Sequence, residues 1–211
     1  MDLGSLPARH GRYRGEHPAL ISGGCQLNWR EFDAAINRLA NALLAAGLRK
    51  GDKFATVLPN CQELMLAYWA GAKTGCVIVP MSPLLQDNGF VSLLADSDTR
   101  LVLGHASFSG TFARIRDRLP LIAADRWILL GESGETCPGF LPYSAFLADA
   151  SSVCPPDAGL SDADEFNIMY SSGTTGLPKG IVHTHYVRAM YCMIFASSFR
   201  ITPESVVLHA G

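Results

Sequence analysis

Short apolar runs without internal polar alternation recur along the chain, at spacings that leave room for a helix between successive runs. They read "FATVLP", "CVIVPM", "RLVL", "RWILL" and "FNIMYS". A strand that lacks polar alternation is buried on both faces, as in a parallel sheet that is covered by helices. Repeated strand–helix units therefore predict an α/β fold: a layered, doubly wound, largely parallel sheet with helices on both faces.

Between these runs, apolar residues recur at helical spacing. The first such segment predicts a helix that ends at Gly47, a glycine that can take the left-handed position after the last turn. A second helix is expected to start with the N-x-x-E pattern of Asn60 and Glu63, akin to a capping box, and to end near Gly75. Further helices are predicted around residues 90–95, 108–119 and 186–199.

Two more segments have the character of strands. "ALISGGCQLNW" places two apolar runs around a Gly-Gly pair and predicts a tight hairpin. The final "ESVVLHAG" predicts one more strand, with no turn or polar tail after it. Because natural C-termini usually lie in polar tails or finished surface helices, we expect the chain to be the front part of a longer protein. A sheet edge exposed in this way is expected to allow self-association.

Changes in composition divide the chain into four parts. Residues 1–15 are an N-terminal arm, whose locally basic sequence is interpreted as a solvated tail, and residues 16–149 are a first α/β subdomain. Residues 150–165 are acidic and rich in Pro, Ser and Ala, which is typical of a linker. Residues 166–211 hold a strand, a glycine-rich loop, a second strand and a helix, and are expected to begin a further, truncated subdomain.

The amino-acid composition excludes several classes of protein. Hydrophobic residues make up 48% of the 211 residues, which excludes a disordered chain. The formal charge of −2 gives no electrostatic reason to expect nucleic acid as a partner. The six cysteines form no C-x-x-C motif and are interpreted as reduced core residues. Neither a membrane-spanning stretch nor a signal peptide is recognisable, so a cytoplasmic protein is expected.

The most informative segment is "YSSGTTGLPKGIVHTH", residues 170–185. Composition alone is compatible with a flexible turn. However, its glycines let backbone N–H groups converge on an anion, its hydroxyls add short donors, and Lys179 supplies a positive charge. Together these features predict a phosphate cradle. The glycines are Gly173, Gly176 and Gly180, and the hydroxyls belong to Ser171, Ser172, Thr174 and Thr175.

The order of these residues excludes the P-loop of kinases and ATPases. That loop reads G-x-x-x-x-G-K-[ST], and its lysine and hydroxyl residue open a helix. Here the order is G-T-T-G-L-P-K-G, and the β-branched "IVHT" that follows is typical of a strand.

The segment closely resembles the phosphate-binding signature of the adenylate-forming enzymes, the superfamily of acyl-CoA synthetases, luciferases and peptide-synthetase adenylation domains. The order of Ser, Gly, Thr, Pro and Lys fits that signature throughout. The stretch from "LNWREFDAAINRLANALLAAGLRKGDKF" to "GCVIVPMSP" is similar to the N-terminal region of the same family. The resemblance runs from about residue 16 to the end, and it implies an incomplete N-terminal domain of the adenylate-forming fold.

The resemblance implies an ATP-dependent acyl-CoA synthetase. A small-molecule carboxylic acid attacks the α-phosphorus of ATP to give an acyl-adenylate, and the thiol of coenzyme A then displaces AMP. By the family pattern, Thr174, Thr175 and Gly176 hold the β- and γ-phosphates. Lys179 is the catalytic group that supports them, and Ser171 matches a position near the bridging Mg²⁺, an ion that takes few protein ligands. The remaining nucleotide-binding positions are Ser172, Gly173 and Gly180.

Family members are much longer than this chain and carry further site residues downstream: a Glu for Mg²⁺, an Asp for the ribose and a late catalytic Lys. None of these segments is present in the 211 residues. Two alternatives therefore stay open. One is an adenylation domain that loads a carrier-protein thiol, and the other is a non-catalytic, truncated nucleotide-binding module. The identity of the carboxylic acid lies beyond the sequence.

Side chains near the loop have both a chemical and a packing interpretation. His183 and His185 lie at a strand and at a helix start, and we interpret them as packing or capping residues. Met190, Met193 and Phe195 lie on an apolar helix that could line an acyl pocket, and core packing is the preferred interpretation.

Overall fold

The structure is a computed structural model that describes residues 2–132, 137–171 and 178–209. Its centre is a seven-stranded sheet in the order β7-β6-β5-β3-β4-β8-β9, and β1 and β2 form a separate antiparallel hairpin. Every neighbouring pair in the large sheet is parallel except β8 and β9. The strands are β1 (Pro18–Ser22), β2 (Cys25–Asn28), β3 (Lys53–Val57), β4 (Val77–Pro80), β5 (Thr99–His105), β6 (Trp127–Leu130), β7 (Leu141–Pro142), β8 (Glu165–Ser171) and β9 (Lys179–Thr184).

Helices cover both faces of this sheet, so the predicted fold class is confirmed. A core that contains Phe90, Phe112 and Trp127 packs α4 and α5 on one face. A second core, around Ile36 and Phe54, packs α2 and α3 on the other face. The helices are α1 (Leu6–Tyr13), α2 (Trp29–Ala45), α3 (Gln62–Thr74), α4 (Asp87–Asp96), α5 (Ser109–Ile115), α6 (Tyr143–Phe146) and α7 (His185–Ser198).

The chain winds in both directions from β3. Strand β4 lies on one side of β3 and β5 lies on the other, and both run parallel to it. This reversal is the topological switch of a doubly wound sheet. Strands β8 and β9 continue the same sheet on the side of β4. The division of the chain into subdomains at residues 150–165 stays a prediction.

Local signals set most of the predicted boundaries. Gly47 and Gly75 both end helices with positive φ, at +89° and +72°, as the left-handed position after a helix requires. Helix α2 begins with a capping box that the sequence analysis missed, in which Asn28 accepts from the Glu31 N–H and Glu31 accepts from the Asn28 N–H. The predicted start of α3 is wrong by one residue: Cys61 is its N-cap, which leaves Asn60 one position outside the helix.

Further predictions are corrected by the structure. The N-terminal arm is not a solvated tail, because a 3₁₀ turn (Leu3–Ser5) and α1 pack on the domain, with Leu3 buried and the His10 ring stacked on Trp29.

The helix predicted at residues 108–119 is α-helical only in α5, and a 3₁₀ turn follows it (Arg116–Arg118). Pro120 disfavours helical backbone in the residue before it.

The strand predicted at the end of the chain does not form over its described part, residues 204–209. The segment does not pair with the edge strand β9, and Val206 and Leu208 are about nine-tenths exposed. An apolar β-branched run stays irregular when it has no neighbouring strand to pair with.

The cysteine interpretation is correct for one residue of the six. Cys76 is buried, whereas Cys61 and Cys137 are half-buried. Cys25, Cys154 and Cys192 are exposed, and all six are free thiols. Among the helices of the described residues, none is long and apolar enough to cross a membrane.

Candidate functional site

The predicted phosphate loop connects β8 to β9. Among the described residues, Ser171 and Lys179 are the last opposed pair of the antiparallel ladder, and they mark the end of the hairpin stem. Ser171, Lys179 and Gly180 are therefore brought together at the end of the sheet. Ser172, Gly173, Thr174, Thr175 and Gly176 lie outside the described residues, and their roles stay predictions.

The two faces of the stem differ in chemistry. Directly opposed residues of an antiparallel pair project to the same face. Ser171 and Lys179 therefore share one face, and Tyr170 and Gly180 share the other. On the first face, Arg188 of α7 bonds residues further down β8, which identifies this face as the α7 side. Tyr170 packs against the core on the opposite side, beneath α4.

Lys179 is exposed, and no described carboxylate lies within ion-pair distance of its ammonium group. Ser171, also exposed, adds a hydroxyl on the same face. A cation and a hydroxyl donor at the end of a strand hairpin suit the oxygens of a phosphate group. One hydroxyl also suits Mg²⁺, which keeps most of its waters. The described residues contain no cluster of three or more His, Cys, Asp or Glu that could hold a metal by themselves.

Gly180 has a packing role that the sequence analysis did not recognise. A Cβ at this position would lie 3.1 Å from Ile168 Cγ2 and 3.3 Å from Tyr170 Cε1. The missing side chain makes room for the Tyr170 ring to lie across the hairpin. Tyr170 in turn donates from its hydroxyl to Asp96 Oδ2 at 2.6 Å. In the sequence, the only sign of this contact was that Tyr170 precedes the loop, and no feature indicated Asp96 as its partner.

His185 is a packing residue, as predicted. It is buried at the start of α7, and its ring meets the edge of Phe166 with a centroid distance of 5.5 Å. Burial lowers the pKa of His185, which favours the neutral ring. Thr184 rather than a histidine caps the helix, because its hydroxyl accepts from the Val187 N–H. The pKa of His183 is also lowered, first by burial and then by the charge of Arg188.

The preference for core packing is wrong for two residues of α7. Met193 is 57% exposed and Phe195 is 51% exposed, whereas Met190 is half-buried. The rings of Tyr191, Phe195 and Phe199 form an exposed row with centroids about 6 Å apart. No acyl pocket forms around these side chains within the described residues, because no described element covers them.

Arg188 is a second group that sequence reasoning missed. Its Nε donates to Asn167 Oδ1 at 2.9 Å, its Nη2 lies 3.2 Å from Met169 Sδ, and its guanidinium lies over the Tyr191 ring. These contacts hold α7 against β8 on the face that carries Ser171 and Lys179. Contacts between a helix and a strand so far apart in sequence leave no local signal.

Comparison with known proteins shows the family of the chain. The model of the AMP-binding enzyme family matches residues 8–210, and the chain belongs to that family. Among curated relatives, the crotonobetaine/carnitine–CoA ligase of Salmonella paratyphi A is 34% identical over 179 residues, which cover 82% of this chain and 34% of the ligase. The chain thus spans about a third of the length of the curated relatives it matches.

Solved structures agree on the fold. An anthranilate CoA ligase in complex with anthranoyl-AMP aligns with a TM-score of 0.86 at 24% identity, over 93% of this chain and 37% of the ligase. The inhibitor-bound N-terminal domain of FACL13 from Mycobacterium tuberculosis aligns with a TM-score of 0.74 at 26% identity, over 87% of this chain and 44% of that domain. The sheet described here is therefore the α/β architecture of the N-terminal domain of adenylate-forming enzymes.

Proposed function

We propose that the chain is part of an ATP-dependent acid–thiol ligase, which activates a carboxylic acid as acyl-AMP and transfers the acyl group to coenzyme A. The observation that carries this proposal is the pairing of Ser171 with Lys179 at the end of the β8–β9 hairpin, on one exposed face. The hairpin belongs to a chain of the AMP-binding enzyme family. The CoA ligases among the curated relatives support coenzyme A as the acceptor, rather than a carrier-protein thiol.

The proposed reaction has two steps. In the first step, an oxygen of the substrate carboxylate bonds to the α-phosphorus of ATP, and the bond to the pyrophosphate oxygen breaks. In the second step, the thiol sulfur bonds to the acyl carbon, the bond to AMP breaks, and the thiol proton is released. Negative charge develops on the leaving pyrophosphate in the first step. Fixed donors and cations placed there lower the barrier, because they need no reorganisation when the charge appears.

Lys179 and Ser171 would act on that leaving group. The Lys179 ammonium would neutralise charge on the β- and γ-phosphates, and the Ser171 hydroxyl would donate to the same oxygens or bind Mg²⁺. Mg²⁺, held by the Ser171 hydroxyl, would neutralise part of the negative charge of the phosphates. The loop residues between them, through Thr174, Thr175 and Gly176, would supply the remaining phosphate contacts.

We infer that the 211 residues alone bind ATP weakly and form no thioester. Catalysis of this kind depends on positioning several groups at once. This chain covers 34% of the length of its curated CoA-ligase relatives. The test is to incubate the purified chain with ATP, Mg²⁺, coenzyme A and a panel of carboxylic acids. Thioester formation would overturn the inference, whereas weak ATP binding without a product would support it. A cytoplasmic location stays a prediction.

Self-association is a second proposal, and the exposed surface around β9 favours it. Strand β9 is the edge of the sheet, and Ile181 and Val182 on it are almost half-exposed. The apolar row on α7 lies next to it in the chain. An exposed apolar edge strand is a template for a second copy of the same strand. Light scattering of the purified chain tests this proposal, and a monomer at high concentration would contradict it.

A further inference from the structure

The stem of the β8–β9 hairpin extends beyond the strand beside it. Strand β8 pairs with β4 in parallel through Asn167, which lies opposite Ile78. Strand β4 ends at Pro80, which has no N–H to donate to β8. In this parallel register Pro80, the last residue of β4, lies level with Met169, so Tyr170 and Ser171 extend beyond β4 while they still pair with β9. Side-chain contacts with the rest of the domain therefore help to fix the position of Ser171 and Lys179.

Tyr170 is the side chain that reaches the domain from this part of the stem. Its ring lies against the position that a Cβ of Gly180 would occupy, and it packs on the core beneath α4. Its hydroxyl donates to Asp96 Oδ2 at 2.6 Å, which is a short bond to a charged acceptor. The ring thus contacts both strands of the stem, and the hydroxyl ties them to a helix that lies 74 residues earlier in the sequence.

Asp96 occupies an unusual position for a carboxylate. It is the last residue of α4, where the negative end of the helix dipole disfavours an acid. Asp96 is exposed to solvent, and the bond from Tyr170 offsets part of this unfavourable interaction with the helix dipole. Buried hydrogen bonds fix the backbone that follows Asp96. Ser97 Oγ donates to Leu93 O at 2.7 Å and lies 2.8 Å from Thr99 Oγ1, and both side chains are buried.

We propose that Tyr170 and Asp96 are positioning residues of the nucleotide site. Their hydrogen bond fixes the β8–β9 stem against α4, so that Ser171 and Lys179 on the opposite face of the stem hold their place toward the phosphates. The expected effect on nucleotide affinity rests on the proposed function, but whether the pair fixes the stem can be measured without nucleotide. Burial raises the pKa of Tyr170, and the hydrogen bond to Asp96 raises it further, so the hydroxyl stays a donor at neutral pH.

The test uses amide hydrogen exchange and MgATP affinity, both on the 211-residue chain. Tyr170→Phe keeps the ring and removes the donor, and Asp96→Ala removes the acceptor. Asp96→Asn keeps an acceptor and serves as the rescue variant. The matched control is Tyr13→Phe, since Tyr13 is 73% exposed on α1, far from this pair in the sequence. Melting temperatures of all variants separate a local effect from general destabilisation.

The proposal predicts faster exchange of the stem amides, and MgATP affinity about tenfold weaker, in Tyr170→Phe and Asp96→Ala. Asp96→Asn should stay within about threefold of the wild type, and the Tyr170→Phe/Asp96→Ala double variant should be no weaker than either single variant. A merely structural role would lower the melting temperature in the same pattern of rescue and non-additivity but leave the MgATP affinity unchanged.

Two results would overturn the inference. One is that the stem amides of Tyr170→Phe exchange as slowly as those of the wild type. The other is an unchanged MgATP affinity in Tyr170→Phe while Lys179→Ala weakens it. If Lys179→Ala also leaves the affinity unchanged, the phosphate-site proposal fails instead, and the exchange rates alone decide whether the pair fixes the stem.

Discussion

The ammonium group of Lys73 lies 2.6 Å from Asp33 Oδ1, and both side chains are largely removed from solvent. The pair joins α3 to α2. Asn37 completes the cluster, because its Oδ1 accepts from Lys73 and its Nδ2 donates to Ser152 O at 3.1 Å. The segment around Ser152 is thereby attached to the two helices that cover one face of the sheet.

We expect Lys73→Met to lower the free energy of unfolding by about 3 kcal/mol, because it leaves the partly buried Asp33 carboxylate without its cation, with only the bond from Asn37 Nδ2. Arg30→Met is the matched control. Its ion pair with Glu16 has both side chains more than 70% exposed, so the change should stay below about 1 kcal/mol. Urea unfolding measures both values. Equal effects of the two variants would contradict the importance of burial at Lys73.

The stability of the chain should fall as the pH drops below about 6.5, and His185 should contribute to this fall. Its pKa in the folded chain lies below the usual value of 6.5, chiefly because the ring is buried, although Asp2 and Asp164 oppose the shift. Between the folded pKa and 6.5, the unfolded state binds the proton and the native state does not. Stability therefore rises with pH in this window, by at most about 1.4 kcal/mol per pH unit from this residue.

The matching variant for this pH effect is His185→Leu. It should reduce the slope of unfolding free energy against pH between pH 5 and about 6.5, whatever it does to the absolute stability. His17→Leu serves as the control. Unfolding by urea at several pH values gives the slopes, and an unaltered slope in His185→Leu would contradict the role of the buried ring.

A charge placed on the edge strand should prevent self-association. Val182→Lys puts an ammonium on β9, where Val182 is 47% exposed, and edge charges oppose strand pairing between molecules. Leu84→Lys, at a turn position that is 86% exposed, is the control. Light scattering should show a smaller average mass for Val182→Lys alone. If both variants behave like the wild type, β9 is not the contact between copies.

Periodicity in the sequence was sufficient to predict the central sheet and its covering helices. The continuous apolar strands β3 to β6 and the glycine ends of α2 and α3 are properties of adjacent residues, so local reasoning finds them. The final strand was predicted from the same signal and is irregular over residues 204–209. A strand forms only where a neighbouring strand pairs with it, and the sequence pattern of one segment does not show whether such a neighbour is present.

The hairpin was predicted in part, for a similar reason. The spacing of its glycines, its hydroxyls and Lys179 pointed to a phosphate site, and Ser171, Lys179 and Gly180 do meet at the end of the stem. Tyr170 and Asp96 were not found, because they are 74 residues apart and their contact depends on how α4 packs beside β8. Arg188 and Asn167 were missed on the same grounds.

The most direct test of the account is the dissociation constant of MgATP for the wild-type chain and for Lys179→Ala, at one fixed ionic strength. Lys53→Ala, which removes a lysine from β3, is the control for loss of charge. If Lys179 holds the phosphates, its replacement should weaken binding by about tenfold, while Lys53→Ala stays close to the wild type. Equal affinities of wild-type and Lys179→Ala chains would contradict the assignment of the β8–β9 hairpin as the phosphate site.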